Sequence, residues 1–274
     1  MTAPLVIAVA PNGARRVKAD HRAIPLTPAE IADTAAACAD AGATVLHLHV
    51  RDDRGGHSLD VDRYRAATAA VRDGAGDRLV IQATTEAVGI YSPDQQMAMV
   101  RELRPQAVSL AIRELVADAA AEGPAADFLA WADRAGIAAQ YILYDQADRD
   151  RLIALQARGI VPQAAPNALF VLGRYTTGQQ SDPRSLLPFL AGWPAGWPWS
   201  LCAFGAAEAA CVAAACALGG HARVGFENNM TLPDGGMAPD NAALVANLAA
   251  IAARIGRPIA TAGQARSTYG ATAP

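Results

Sequence analysis

Thr44-Val45-Leu46-His47-Leu48-His49-Val50-Arg51-Asp52 opens with a strand over Thr44–Val50 that ends in chemistry. Side chains at i and i+2 of a strand share a face, so His47 and His49 project together, opposite Leu46, Leu48 and Val50. A helix follows over Val61–Val71, and this strand-then-helix order recurs along the chain. Upstream, Leu5–Ala10 reads as a strand. Thr27-Pro28-Ala29-Glu30 then opens a helix, with Thr27 as N-cap, Pro28 at the first helical position and Glu30 closing a capping box.

Downstream, Leu79–Ala83 is a strand, followed by a helix that Ser92 caps ahead of Pro93. The strands Ala107–Ile112 and Ala138–Leu143 flank a helix near Ala125–Ala135. Asp148–Arg158 is helical, Ala168–Leu172 a strand and Pro183–Leu190 a short helix. Trp199–Ala203, the helix Ala206–Leu218, the strand Ala222–Phe226 and the helix Asn241–Ile255 complete the series. Eight β/α units without a linker predict a parallel sheet, and the length of 274 residues favours closure into a single (β/α)₈ TIM barrel over residues 1–274. The first strand leads into Pro11-Asn12-Gly13-Ala14-Arg15-Arg16 and not into G-x-G-x-x-G, which argues against a dinucleotide site.

Composition narrows the function. Hydrophobic residues make up 52% and charged residues 18%, which excludes a disordered chain. A net charge of −3 with no basic run speaks against nucleic acid or a membrane surface as partner. The N-terminal stretch lacks the positive start of a signal peptide, and the apolar run Ala206–Leu218 is interrupted by Glu208 and too short for a membrane span. Cys38, Cys202, Cys211 and Cys216 form no C-x-x-C pair, so reduced, buried thiols in a cytoplasmic protein are expected.

Barrel enzymes carry their chemistry at the C-terminal ends of strands. There His47 and His49 suit a borderline-soft divalent metal, zinc above all; their other use is as a hydrogen-bonded core pair. Arg223, Gly225 and Glu227 share a face if the last strand stays extended, which brings Glu227 forward as a third ligand; a surface ion pair is the alternative. Thr84 and Thr85 offer hydroxyls to a substrate carboxylate or oxyanion, or else ordinary turn contacts, and Glu86 offers a general base. Asn12, Arg15 and Arg16 suit an anionic substrate, and Ser109 is a further candidate. His21, His57 and His221 read as loop or surface residues without a role. Cys202 and Phe204, at the end of the seventh strand, read as packing.

Taken in order, P-N-G-A, L-T-P-A-E-I-A, H-L-H-V-R-D, D-R-G-G-H-S, V-S-L-A-I-R-E, A-L-F-V-L-G, F-G-A-A-E, R-V-G-F-E-N-N and R-P-I-A-T-A-G-Q-A-R resemble the β-keto acid cleavage enzyme family over nearly the whole chain. The resemblance implies a (β/α)₈ barrel, assembled as a homotetramer, with one divalent metal, usually zinc, on His47, His49 and Glu227. It implies a reaction in which a β-keto acid and acetyl-CoA give acetoacetate and a new acyl-CoA. Arg223 matches the family's arginine that positions the proton-transfer group.

Three positions depart from the family pattern. Asn228 stands where the resemblance places an aspartate base, Thr84-Thr85-Glu86-Ala87 replaces a serine-threonine-glycine-glycine turn, and Arg15 replaces an acidic residue of the first loop. The redistributed charge predicts that Glu86 takes over as base and that Arg15 selects a substrate with an additional anionic or polar group. Two other classes fit the same residues: a metal-assisted C–C lyase or hydrolase that does not use CoA, and a metal-dependent binding or sensor protein.

Overall fold

The computed structural model describes residues 3–272. Eight parallel strands close in the order β1 (Ile7–Val9), β10 (His221–Val224), β9 (Trp199–Ala203), β8 (Asn167–Leu172), β7 (Ala138–Leu143), β6 (Ala107–Ala111), β5 (Val80–Thr84) and β2 (Val45–Leu48). The protein is thus a (β/α)₈ TIM barrel, as the alternation predicts. Two short strands, β3 (Val50–Arg51) and β4 (His57–Ser58), form an antiparallel hairpin beyond β2. The helix α1 (Pro28–Asp40) starts at the expected box: the Thr27 side chain accepts from the Glu30 amide, and the Glu30 carboxylate accepts from the Thr27 amide. Such a cap contributes about 1 kcal/mol. α2 (Val61–Ala75) and α3 (Pro93–Leu103) follow, α3 with the same reciprocal box between Ser92 and Gln95.

Three departures from the sequence reading bear on the site. The strand expected over Thr44–Val50 divides, because β2 loses its partner after Leu48 pairs with Ala83 and the chain turns to pair with its own hairpin. His49 therefore sits in the break between two strands. The last strand ends at Val224 and does not stay extended to Glu227. Gly225 adopts φ +131°, and a Cβ there would stand 2.4 Å from the Ala10 carbonyl oxygen. Gly225→Ala is expected to cost about 2 kcal/mol or more, from backbone strain and that clash together. An unchanged denaturation midpoint would contradict this packing.

The third departure is a further helix, Ala262–Tyr269, opened by a capping box of Thr261 and Gln264. Its Ala265 and Tyr269 close the N-terminal end of the barrel, packing on Val6, Ala8, Val45, Val80, Ala107 and Ala138. The larger core lies between the outer barrel face and the surrounding helices. No described helix is long and apolar enough to cross a membrane. All four cysteines are buried and free.

Candidate metal and substrate site

Above the apolar floor, the barrel interior becomes polar. The Gln82 amide nitrogen donates to Gln140 Oε1 at 3.1 Å, and the Gln140 nitrogen donates to Asn167 Oδ1 at 3.1 Å and Tyr269 Oη at 3.1 Å. Gln82 and Gln140 lie on β5 and β7, which are not neighbours, so the bond crosses the interior. This ladder leaves the Gln82 carbonyl oxygen facing His47 Nδ1 at 2.8 Å. An amide oxygen can only accept, so Nδ1 carries the proton and His47 Nε2 keeps its lone pair. Burial, followed by the nearby Arg223 guanidinium, pushes His47 down to about 3, so the ring is neutral near pH 7.

That lone pair faces other electron-rich atoms. His47 Nε2 lies 3.1 Å from His49 Nε2. Glu227 Oε2 lies 3.2 Å from His49 Nε2 and 3.6 Å from His47 Nε2. Burial opposes ionisation of Glu227, yet Arg223, which donates from Nη2 to Oε1 at 2.9 Å, holds its carboxyl well below the usual range. A carboxylate and two imidazole nitrogens gathered this closely could hold a metal ion, and the three ligand atoms lie within 4.8 Å of one another. Glu227 Oε2 is buried without a hydrogen-bond partner, as a ligand oxygen would be before its metal is counted. The donor set of two imidazoles and a carboxylate fits zinc or a similar divalent ion.

Glu227 reaches the histidines from a turn, not from a strand. Its amide donates to the Ala10 carbonyl at 3.1 Å, and the amides of Asn228 and Asn229 both donate to the Gly225 carbonyl. Asn229 secures the turn by donating to Glu208 Oε2 at 3.1 Å and to the Thr231 carbonyl at 2.7 Å. Burial pushes the Glu208 carboxyl up to about 8, so it is largely protonated at neutral pH. Gly13, with φ +59°, leaves room for the incoming side chain, since a Cβ there would meet Glu227 Cγ at 2.5 Å.

Over the triad opens a cleft of about 250 Å³, whose lining includes Arg15, Arg16, Glu86, Arg174, Phe204 and Glu227. Arg51 secures its first loop, donating from Nη2 to the Gly13 carbonyl at 2.5 Å and to the Arg16 carbonyl at 2.9 Å. Arg15 and Glu86, the two residues singled out for charge redistribution, meet directly: Arg15 Nη1 donates to Glu86 Oε1 at 2.7 Å. An inner recess joins Thr84, Glu86, Tyr144, Arg174 and Arg223 to His47 and Glu227.

Other expected residues lie elsewhere. Asn12 is fully buried and donates to the carbonyls of Pro25 at 2.9 Å and His49 at 3.3 Å. Thr85 Oγ1 donates to the Ser109 carbonyl at 2.8 Å, while the Ser109 hydroxyl is buried without a partner. Asn228 is buried, with both side-chain polar atoms unpartnered, and borders a neighbouring cleft beside Gly205 and Met230. Cys202 accepts from Arg223 Nη2 at 3.3 Å, and burial pushes its thiol up to about 11, which makes it a packing residue and not a nucleophile.

The reading of His57 and His221 as loop or surface residues is corrected, since both are buried. The His57 ring lies 5.3 Å from that of His49, and its Nε2 donates to the Glu86 carbonyl at 2.9 Å. The His221 Nδ1 accepts from the Val6 amide at 3.1 Å at the foot of the barrel. Gln82, Gln140 and Arg174 are absent from the residues that the sequence brings forward. A glutamine in the middle of an apolar strand such as Val80–Thr84 is the signal that marks the first two.

The profile of the beta-keto acid cleavage enzyme family matches residues 4–270. The chain belongs to that family. This β-keto acid cleavage family member is 30% identical over 273 residues to the 3-keto-5-aminohexanoate cleavage enzyme of Fusobacterium nucleatum, covering 97% of each chain. It is also 30% identical to the 3-oxoadipate:acetyl-CoA acetyltransferase of Cupriavidus necator, covering 98% of this chain and 96% of that one. Among solved structures, a ternary complex of ObcA with a C4-CoA adduct and oxalate superposes with a TM-score of 0.74 at 17% identity, over 90% of this chain and 67% of the other. At that identity the likeness speaks for the fold alone. The apo structure of ObcA gives a TM-score of 0.73 at 18% identity, and this chain covers 65% of its length.

The ladder behind His47 is open to test. Gln82→Leu removes the acceptor that fixes the tautomer and should weaken metal affinity roughly 10–100-fold. Competition against a chromogenic chelator measures this, with a thermal melt to show that the barrel persists. Unchanged affinity would mean that the ladder only fills the barrel.

Proposed function

We propose that the chain is a metal-dependent transferase that condenses a β-keto acid with acetyl-CoA, giving acetoacetate and a new acyl-CoA. The observation that carries this reading is the convergence of His49 with a neutral His47 and an ionised Glu227 beneath an arginine-bearing cleft. Zinc bound to His47, His49 and Glu227 would supply Lewis acidity for the enolate of the keto acid. Arg223 keeps Glu227 ionised and oriented through its hydrogen bond to Oε1. Glu86 takes the proton from the carbon between the two carbonyls, the step for which Asn228 has no basic group. Arg15, paired to Glu86, biases the cleft towards anionic or polar substrates, and the Thr84 hydroxyl borders the same recess. Asn12 ties the first loop to the metal ligand His49 through its bond to that residue's carbonyl.

Three arginines and three carboxylates line the cleft, so a divalent cation on the triad makes it net positive. That sign suits a keto-acid carboxylate and a CoA thioester. The protein is proposed to act as a single-domain, cytoplasmic subunit of a homotetramer.

The deciding experiment supplies zinc-loaded protein with a β-keto acid, with and without acetyl-CoA, and follows acetoacetate and acyl-CoA by mass spectrometry. Keto-acid consumption is expected only with acetyl-CoA, each turnover giving one acetoacetate and one new thioester. Equal consumption without acetyl-CoA would assign a lyase or hydrolase instead.

A further inference from the structure

We infer that the substrate carries a second carboxylate at its far end, and that Arg174 receives it. This names the substrate class of the reaction proposed above and rests on that reading. Arg174 follows β8 and lines both the inner recess, with His47 and Glu227, and the outer cleft, with Arg15 and Glu86. A ligand whose β-keto acid end meets the triad therefore passes this guanidinium as it extends outward.

The state of the side chain argues for an anion. It is only 17% exposed, with its guanidinium 5.3 Å from the Phe204 ring centre and 5.8 Å from that of Tyr175. The carboxylate within reach, Glu86 Oε1, is 3.8 Å away and already bonded to Arg15 at 2.7 Å. None of the Arg174 side-chain donors makes a hydrogen bond among the described residues. Its donors open on the cleft without a protein acceptor, and the aromatic faces hold the guanidinium ready for a ligand carboxylate. Arg15 differs: it is 54% exposed and its charge is matched by Glu86.

The same geometry disfavours the other tails. An apolar tail would cover the guanidinium and leave its donors unpaired. An ammonium would enter a cleft whose three arginines, with a divalent cation on the triad, outweigh its three carboxylates. A planar carboxylate suits the guanidinium fork in two-point fashion. A CoA phosphate offers related chemistry, and the test separates the two sources.

The test uses zinc-loaded, full-length protein with acetyl-CoA and three β-keto acids of matched length: 3-oxoadipate, 3-oxohexanoate and 5-amino-3-oxohexanoate. The wild type should favour 3-oxoadipate over 3-oxohexanoate by about 30-fold or more in kcat/KM, a ratio in keeping with one charge-assisted pair. Arg174→Gln should bring that ratio near one by raising KM for the diacid, with the KM for acetyl-CoA unchanged. Arg174→Lys should restore part of it. Preference for the amine, a ratio that Arg174→Gln leaves intact, or a shift in the acetyl-CoA KM alone would each overturn the assignment. Calorimetric titration with 3-oxoadipate in the absence of acetyl-CoA reads the same contact without turnover. A protein that binds the diacid through Arg174 but transfers no acyl group would overturn the proposed reaction and leave this site standing.

Discussion

His49→Ala is expected to release the metal and reduce turnover by about a thousandfold or more, because Lewis-acid stabilisation of an enolate is worth several kcal/mol. The physical basis is the crowding of donor atoms. His47 Nε2 is left with a lone pair by the Gln82 contact, Glu227 is ionised beside Arg223, and both meet His49 Nε2 within 3.2 Å. Loss of one imidazole leaves two ligands, too few for a catalytic zinc site. Metal content by atomic absorption should fall from about one per chain to near zero. A hydrogen-bonded core pair makes the opposite forecast: metal-free wild type, and a stability loss as the main effect of the substitution. Glu227→Gln provides a second check, since an amide keeps the shape but removes the charge that Arg223 supports.

The barrel and half of this site can be read from local pattern. Capping boxes at Thr27 and Ser92, together with the strand-helix alternation, depend on neighbours within a few residues. The histidine spacing conveys its meaning the same way. Glu227 is placed otherwise than its spacing predicts: the extended strand expected through Arg223, Gly225 and Glu227 breaks at Gly225, and the ligand arrives on a turn anchored to Ala10. The helix Ala262–Tyr269 is poorly legible because its buried face is only Ala265 and Tyr269, although the Thr261–Gln264 box is present. His57 and Arg174 are different in kind. One is placed by a hairpin folding onto the barrel mouth, the other by a loop approaching Phe204 from a neighbouring strand end. Neither closeness is encoded in local spacing.

Glu86→Gln is expected to lower kcat by roughly 10²–10⁴-fold, the usual contribution of a positioned base, with metal content unchanged. The backbone of Glu86 is fixed from two sides: its amide donates to Thr84 Oγ1 at 3.1 Å, and its carbonyl accepts from His57 Nε2 at 2.9 Å. Oε1 is bonded to Arg15, while Oε2 makes no hydrogen bond among the described residues and is the oxygen available for a substrate proton. The carboxylate shares the inner recess with His47, Arg223 and Glu227, which puts it beside the site where the enolate would form. A purely structural Glu86 would act only as counter-charge to Arg15, and then Glu86→Gln and Arg15→Gln should have similar, modest effects. A base predicts a split instead. Removing the negative charge leaves Arg15 and Arg174 unopposed, so KM for an anionic keto acid should fall or hold while kcat collapses. Retention of more than about a tenth of wild-type kcat would place the base elsewhere.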